Sequence, residues 1–403
     1  MSFLQRIFLG SIRRTVVYHD ERGLLYLGRS SVTVRMDIDP RALVWARENH
    51  GMDLHALATA VNTPPAIVAA WENGEKRPTY KQMRKVAKKL DQGLPFFLVP
   101  PPRDKELPET VDYRRRGGPV SPALAREIVR TERYRQTVLT YEGPPSRRLD
   151  LRPLTMPTVE QRAREFREWL PAPREDHPYG HDPLRLLNEW RELLATAGIL
   201  VFQASRIPPE EFRGLSVYHS ELPIILINGA DANRAKLFTL LHEVGHLINR
   251  TSGLCLLEDK QVDEPLANAF AAAVLLPADA VLTAAKQAES EGVDMVEVIA
   301  KQRGVSRLAC AIRLHHLGLV DRKVVDEIRD LTEAAWKRHR EELRARKGGP
   351  PYWRVRYRDL GQTFIGVIAR ALEAGTIDWV EAIALTNTKG PTLDRLLNEY
   401  HGQ

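Results

Sequence analysis

The sequence predicts a mostly α-helical chain with one small β-sheet, an α+β fold. It divides into an N-terminal helical bundle, a central α+β body and a helical C-terminal region. Three observations predict this. Apolar residues recur at three- and four-residue spacing over most of the chain beyond Pro40. Only two short β-type runs stand out in the central part, Ile199 to Phe202 and Ile224 to Ile227. The length, 403 residues, exceeds one ordinary core; at about 150 residues per domain it fits roughly two or three units.

Composition narrows the function classes. Hydrophobic residues make up 43% and charged residues 28%, which excludes a disordered chain. Cys255 and Cys310 are the only cysteines, so a disulfide scaffold is excluded and a reducing, cytoplasmic setting is expected. The longest apolar run, Ala269 to Leu276, stops at Pro277. It is far short of the roughly 18 residues needed to cross a bilayer, so no membrane span is expected. The net charge of +7 permits nucleic acid or an acidic surface as partner without requiring either.

Residues 1–36 receive no function. Phe3-Leu4 and Ile7-Phe8-Leu9 near Arg6, Arg13 and Arg14 suggest a targeting peptide. Acidic residues Asp20 and Glu21 follow, however, and no small-residue cleavage site is evident. Val16 to Tyr18 and Leu24 to Leu27 about Gly23 read as a β-hairpin, and Met36 could equally be the true start. From 37 to 103 the pattern is helical. A first helix carries Leu43 and Ala46. Asp53 caps Leu54 to Val61, Asn62-Thr63-Pro64 turns the chain into Pro65 to Glu72, and Pro78-Thr79 opens Tyr80 to Leu90. Pro100-Pro101-Pro102 breaks the chain.

Residues 104–157 read as Arg114-Arg115-Arg116, a long basic helix from Ser121 to Tyr141, and a proline-rich connector. The body from 158 to 320 begins with helices Gln161 to Trp169 and Leu184 to Ala197. Beyond its two strands come helices Asp231 to Asn249, Asp263 to Leu276, Asp279 to Ser290 and Met295 to Gln302. From 321 to 403 a charged helix, Asp326 to Lys347, precedes helices around Gly361 to Gly375 and Asp378 to Leu385. The arginines of this region (Arg338, Arg340, Arg344, Arg346, Arg354, Arg356 and Arg358, with Lys347) read as a solvated face, with phosphate binding or docking as the other option.

The strongest chemical signal is His242-Glu243-Val244-Gly245-His246 inside a helical pattern. Residues four apart on a helix lie about 40° apart around the axis and about 6 Å along it, so both imidazoles can share one ion. Zinc accepts neutral imidazole nitrogen at about 2.0–2.1 Å. Glu243 is turned about 100° away, which suits holding a water rather than ligating. Chance supplies only about 0.02 such matches in a chain of this composition and length.

A catalytic site needs a third protein ligand and an open fourth position. Glu264 leads. Pro265 fixes a helix start there, the rest of that helix is apolar or small, and a carboxylate at its mouth needs a partner. Capping of the helix by Glu264 or Asp263 is the competing use. Glu258, Asp259, His315 and His316 are weaker ligand candidates, the two histidines fitting the last turn of a Leu308 to Leu317 helix. Tyr218 and His219 precede the second strand and could donate to an oxyanion or touch substrate. If Leu222 to Asn228 forms a sheet edge, an extended peptide could add to it. Gly245 costs about 1 kcal/mol of helix propensity against alanine, acceptable if that strand or the substrate passes close.

These motifs carry a resemblance. Arg234 to His246, followed by Glu264-Pro-Leu-Ala-Asn-Ala-Phe-Ala-Ala and ending at Pro277, resembles the ImmA/IrrE family of bacterial metallopeptidases. Ala197-Gly198-Ile199, Gly214-Leu215-Ser216, Pro223-Ile224-Ile225 and Gly304-Val305-Ser306 extend it over residues 155–320. The resemblance implies a zincin-like domain in which His242, His246 and Glu264 hold zinc and Glu243 is the catalytic base. Manganese is the other candidate metal. It also implies cleavage of transcriptional repressors in stress or mobile-element responses.

Leu54 to Thr79, with Leu57, Ala58, Val68, Trp71, Glu72, Gly74, Pro78 and Thr79 in the usual places, resembles the Xre or Cro/cI type of helix-turn-helix. Such a motif lays its second helix in the major groove. This copy departs where bases would be read. The outward positions are Pro65, Ala66, Ala69 and Ala70, none able to donate to a base edge. Lys76, Arg77, Lys81 and Arg84 remain as contacts to a DNA backbone, and dimerisation or partner docking as the other use of the module.

Two functions are therefore expected to compete. One is a cytoplasmic zinc endopeptidase acting on a repressor or antitoxin-like protein, with a DNA-binding-type module and a homodimeric option. The other is a DNA-binding transcriptional regulator or antitoxin-type protein whose zinc site is structural or sensory.

Overall fold

The computed structural model describes residues 15–19, 25–29, 35–50, 52–90, 92, 94–98, 100–101, 121–171, 182–251, 253–255, 264–345 and 349–402. Pro102, Arg114 to Arg116, Glu258, Asp259, Asp263, Arg346 and Lys347 lie outside the described residues, as do the side chains of Arg338, Arg340 and Arg344. The chain divides into two compact units, Met1–Lys105 and Glu106–Gln403.

In the first unit, strands Thr15–His19 (β1) and Leu25–Arg29 (β2) pair antiparallel; Gly23 lies outside the described residues. Four helices follow: Pro40–Asn49 (α1), Leu54–Val61 (α2), Pro65–Glu72 (α3) and Tyr80–Lys89 (α4). Their ends are set by local chemistry. Asp53 accepts from the Ala56 N–H at 2.7 Å, and Thr79 and Gln82 form a reciprocal capping box. Leu43, Leu57, Val68, Trp71, Met83 and Phe97 fill one core. Beside it, Arg47 on α1 grips Glu72 at the end of α3 through two bonds of 2.6 and 3.0 Å, fixing the two helices to each other.

The second unit is built on a four-stranded sheet in the order β3-β5-β4-β6: Leu200–Ala204 (β3), Gly214–Val217 (β4), Ile224–Asn228 (β5) and Gly253–Cys255 (β6). β3 and β5 run parallel, and β4 is antiparallel to both its neighbours. β5 therefore lies inside the sheet. The expectation that Leu222 to Asn228 offers a free edge to a peptide is wrong, because β3 and β4 occupy both of its hydrogen-bonding sides.

Helices cover both faces. Pro122–Glu142 (α5) precedes Val159–Trp169 (α6) and Pro183–Thr196 (α7). Asn233–Ile248 (α8), Glu264–Leu275 (α9), Ala278–Glu291 (α10), Met295–Arg303 (α11) and Arg307–His316 (α12) follow the strands. The C-terminal part adds Arg322–Ala345 (α13), Tyr352–Leu360 (α14), Gln362–Glu373 (α15), Trp379–Thr386 (α16) and Gly390–His401 (α17).

Strand alternation divides the core in two. Val201, Ile225 and Ile227 pack with α6 to α12. Phe202, Leu215, Val217 and Leu226 point the other way, against α5 and the α14 to α17 group. There Tyr134 on α5 packs on Phe202 and Phe364, and its hydroxyl accepts from buried Arg356 at 2.9 Å. Segments that the sequence separates at 157 and 320 thus share one body. Arg356 and Arg358, read above as part of a solvated face, are buried and part-buried, because both bond into this body rather than to solvent. No single described helix is long and apolar enough to cross a membrane.

The second face yields a prediction. Ending the chain at Ala345 removes α14 to α17 and uncovers Phe202, Leu215, Val217 and Leu226. At about 1.5–3 kcal/mol per large apolar side chain, the loss matches a whole domain's stability of about 5–15 kcal/mol. We expect no cooperative melt of the second unit by circular dichroism in that variant. An unchanged melt would show that the C-terminal helices are dispensable.

Candidate metal centre

Helix α8 is buried along most of its length, and its polar residues therefore need partners close by. His242 and His246 are 6% and 9% exposed, and Glu243 is 0% exposed. The i, i+4 spacing places the two imidazole Nε2 atoms 3.1 Å apart. Glu264, the first residue of α9, sends its carboxylate between them, 3.0 Å from His242 Nε2 and 3.5 Å from His246 Nε2.

The approach of α9 explains Gly245. A Cβ there would lie 3.2 Å from the Ala267 Cα and 3.4 Å from the Phe270 ring. The glycine makes room for α9, not for a strand or substrate as its position in the motif suggests. That close crossing of α8 and α9 is what brings Glu264 to the histidines.

The far side of each imidazole is also fixed. His242 Nδ1 donates to Asn268 Oδ1 at 3.0 Å; Asn268 sits one turn after Glu264 on α9. Thr251 Oγ1 donates to the His246 carbonyl at 3.1 Å and lies 3.3 Å from His246 Nδ1, so it is placed to accept that proton. Both rings are thereby held with Nδ1 protonated and the Nε2 lone pair turned inward. Sequence reasoning missed Asn268 and Thr251 as supports. The i+4 spacing from Glu264 is the signal that could have revealed Asn268.

Three donor groups thus converge in a buried space. Left to themselves they repel. The edge of a tetrahedron around zinc with bonds of about 2.05 Å is about 3.3 Å; the two Nε2 atoms are 3.1 Å apart, with Glu264 Oε2 3.0 Å from His242 and Oε1 3.5 Å from His246, all close to that edge. The carboxylate calls for positive charge at the two Nε2 positions: burial works to raise the Glu264 pKa, yet hydrogen bonds from protonated His242 and then His246, whose Nε2 protons stand where a cation would, hold it far below the usual carboxylate range. It therefore stays an anionic donor. The residues present fit a divalent cation. Among the described residues the group of candidate ligands consists of these three.

Glu243 faces the sheet. Neither carboxylate oxygen has a hydrogen-bond partner. A Cβ at Gly214, on β4, would lie 2.2 Å from Glu243 Oε1, so only glycine leaves the carboxylate its place. Ser216, two residues along β4 and on the same face, is fully buried with an unpartnered hydroxyl.

Other candidates fall elsewhere. His219 is bound to Glu132 on α5 at 3.0 Å. Tyr218 is half-buried, with the Arg250 guanidinium 5.9 Å from its ring centre. His315 Nδ1 meets the Val320 carbonyl at 3.0 Å, closing the end of α12, and neither His315 nor His316 joins the metal group. Burial pushes the Cys310 thiol up to about 12, which leaves it inert. In the first unit Lys76, Arg77, Lys81 and Arg84 are all exposed, Arg77 within 3.2 Å of Asp37. Ala66 faces outward on α3, but Ala70 is only 5% exposed and belongs to the core rather than the reading face.

Two substitutions probe the geometry. Asn268→Ala releases the His242 ring and should weaken metal binding about 10–100-fold in a chelator competition. Unchanged affinity would remove Asn268 from the site. Gly214→Ala should leave metal affinity intact while lowering stability by about 1–3 kcal/mol in denaturant titration, because Glu243 must give way.

The comparisons with known proteins follow the same division. No curated protein matches the chain at a significant level. Residues 197–315 match the family model of a peptidase, the IrrE N-terminal-like domain, and the match contains His242, Glu243, His246 and Glu264. Residues 43–97 match a helix-turn-helix model that spans α2, α3 and α4. The chain therefore carries, in this order, a helix-turn-helix of the Xre type and an IrrE N-terminal-like peptidase domain.

Proposed function

We propose that this protein is a zinc-dependent endopeptidase that cuts a transcriptional repressor or similar regulatory protein. The observation that carries the proposal is the buried set His242, His246 and Glu264 beside an unpartnered Glu243 carboxylate. Structural zinc sites close with four protein ligands, whereas catalytic ones use three and leave a position open. Three are present among the described residues, which favours catalysis over a structural or sensory site. Manganese would suit the same donors.

A bound divalent ion supplies Lewis acidity, which acidifies a water and polarises a carbonyl. The chain's own residues do the rest. His242 and His246 hold their Nε2 lone pairs inward because Asn268 and Thr251 occupy the opposite nitrogens. Glu243 takes the proton of the attacking water and hands it to the leaving amine. Its burial without other partners keeps it unengaged by the protein and free for that transfer. The regulatory class of substrate is supported by the helix-turn-helix in the same chain, and the cytoplasmic setting by the scarcity of cysteine. Lys76, Arg77, Lys81 and Arg84 would carry contacts to a DNA backbone.

Glu243→Gln tests the reading. The variant should keep about one metal ion per chain by elemental analysis and lose at least 100-fold in peptide cleavage. His242→Ala should lose both. Full cleavage by Glu243→Gln would remove the proposed base.

A further inference from the structure

The N-terminal end of α8 carries a second group of buried polar side chains. Lys236 is 3% exposed. Its ammonium has three protons to place, yet among the described residues it reaches only Asn233 Oδ1, at a long 3.4 Å. Gln203 on β3 is also 3% exposed, and neither its amide nitrogen nor its oxygen has a hydrogen-bond partner. Alternation puts Gln203 on the same sheet face as Val201, the face that α8 covers. Gln203 and Ile227 form the penultimate pair of β3 and β5. β5 ends at Asn228 and α8 begins at Asn233, so this pair lies at the end of the sheet from which the chain leads into α8.

The surroundings are cationic. Arg191 is buried, holding the carbonyls of Arg358 and Val201 with Nη1 and Nη2, while its Nε is unpartnered. Arg358, from α14, lies against Gly229, where a Cβ would come within 2.9 Å of its Nη2. Two carboxylates are near, Asp359 and Asp231. Asp359 Oδ1 accepts from Ser205 at 2.9 Å and Arg358 at 3.0 Å; Asp231 Oδ1 accepts from the Ala232 N–H at 2.9 Å, while its Oδ2 faces Arg213 at 3.8 Å and has no hydrogen-bond partner. Lys236 forms no ion pair among the described residues. Burial, and then the charge of Arg358, bring its ammonium down to about 8. Finally, the N-cap of α8 is Ala232, whose side chain offers no acceptor to the helix's first N–H groups.

We propose that Lys236, Gln203 and Arg358 at the uncapped start of α8 form a binding site for a small oxyanion of the phosphate class, distinct from the metal centre. The chemistry is complementary. The helix start presents N–H groups and positive potential to an anion. The crevice beyond the carboxyl ends of parallel strands is where α/β sheets bind ligands. Lys236 supplies a charge with no ion-pair partner among the described residues, and Gln203 an unused N–H. The anion is small and free rather than attached to a macromolecule, because Lys236 and Gln203 are both buried. Lys236 precedes His242 by six residues, about 9 Å along the helix axis.

The test uses the full-length, metal-loaded protein and thermal unfolding at constant ionic strength. Inorganic phosphate should raise Tm saturably, by about 4–8 °C at a hundredfold excess over Kd. Acetate at equal ionic strength should do much less. Lys236→Met keeps the volume without the charge and should abolish the phosphate response. Gln203→Glu places a carboxylate in the proposed site. It should raise the phosphate-free Tm and weaken phosphate binding at least tenfold by calorimetry. Equal phosphate shifts in wild type and Lys236→Met, or no shift in wild type, would overturn the proposal. So would a Gln203→Glu protein that still binds phosphate as wild type does. None of these readouts depends on peptide cleavage, so the result stands apart from the peptidase proposal.

Discussion

Everything at the centre of this molecule depends on how closely α8 and α9 cross. The two histidines come from one helix and are brought together by its own period. The third donor comes from another helix and arrives only because Gly245 lets the α9 backbone touch α8 at Ala267. A methyl group at 245 would meet backbone, which cannot swing aside as a side-chain end can. The cost of a glycine inside a helix, about 1 kcal/mol, is small against a misplaced ligand. The same crossing serves a second purpose, since Asn268, one turn into α9, holds His242 from behind. One helix–helix contact thus sets both a ligand and the orientation of its neighbour.

The sheet positions the other half of the chemistry. β4 runs across α8 so that Gly214 lies over Glu243, and the strand's second face is sealed by α5 and the C-terminal helices. The strand that shapes the seat of Glu243 is therefore supported by residues more than a hundred positions away. Arg356 illustrates the bond between these parts. It is buried, it donates to Tyr134 of α5 and to the Thr386 carbonyl, and it ties three elements around the sheet's apolar face.

Much of this was legible in the sequence, and what was not has physical causes. The helix-turn-helix boundaries follow from caps and prolines, and Leu54–Val61 and Pro65–Glu72 emerge as read. The metal helix is legible because an i, i+4 pair of histidines has one geometric meaning, and Glu264 because Pro265 marks a helix start. β4 is not legible: it has four residues, begins with glycine and carries a buried serine, so it lacks a strand's usual signature. α14 escapes because aromatic and arginine residues alternate along it, and its buried Arg356 and Asp359 break the amphipathic stripe. α17 hides behind Gly390-Pro391, which resembles a turn. The interior place of β5 and the sealing of the sheet by distant helices are long-range facts. Local periodicity carries no information about them.

Helix α8 raises one more electrostatic question. It carries Lys236 and Glu243, opposite charges, both buried and neither ion-paired within the described residues. The simplest account would let them neutralise each other. They are seven residues apart, about 10 Å along the axis, and at an effective dielectric of about 20 the attraction over that distance is roughly 1.6 kcal/mol. Removing each charge from water costs several kcal/mol. Mutual attraction is therefore too weak by a wide margin, and each end of the helix needs its own local compensation. At the Glu243 end, the nearby cluster of three donors provides for a cation. At the Lys236 end the nearby Asp231 and Asp359 make no ion pair with the ammonium among the described residues, and the uncapped N–H groups add to the positive potential instead of offsetting it. A helix with a cation-demanding centre near one end is thus left with an anion-demanding one at the other. Because a single rigid helix connects the two, filling either end fixes the same element.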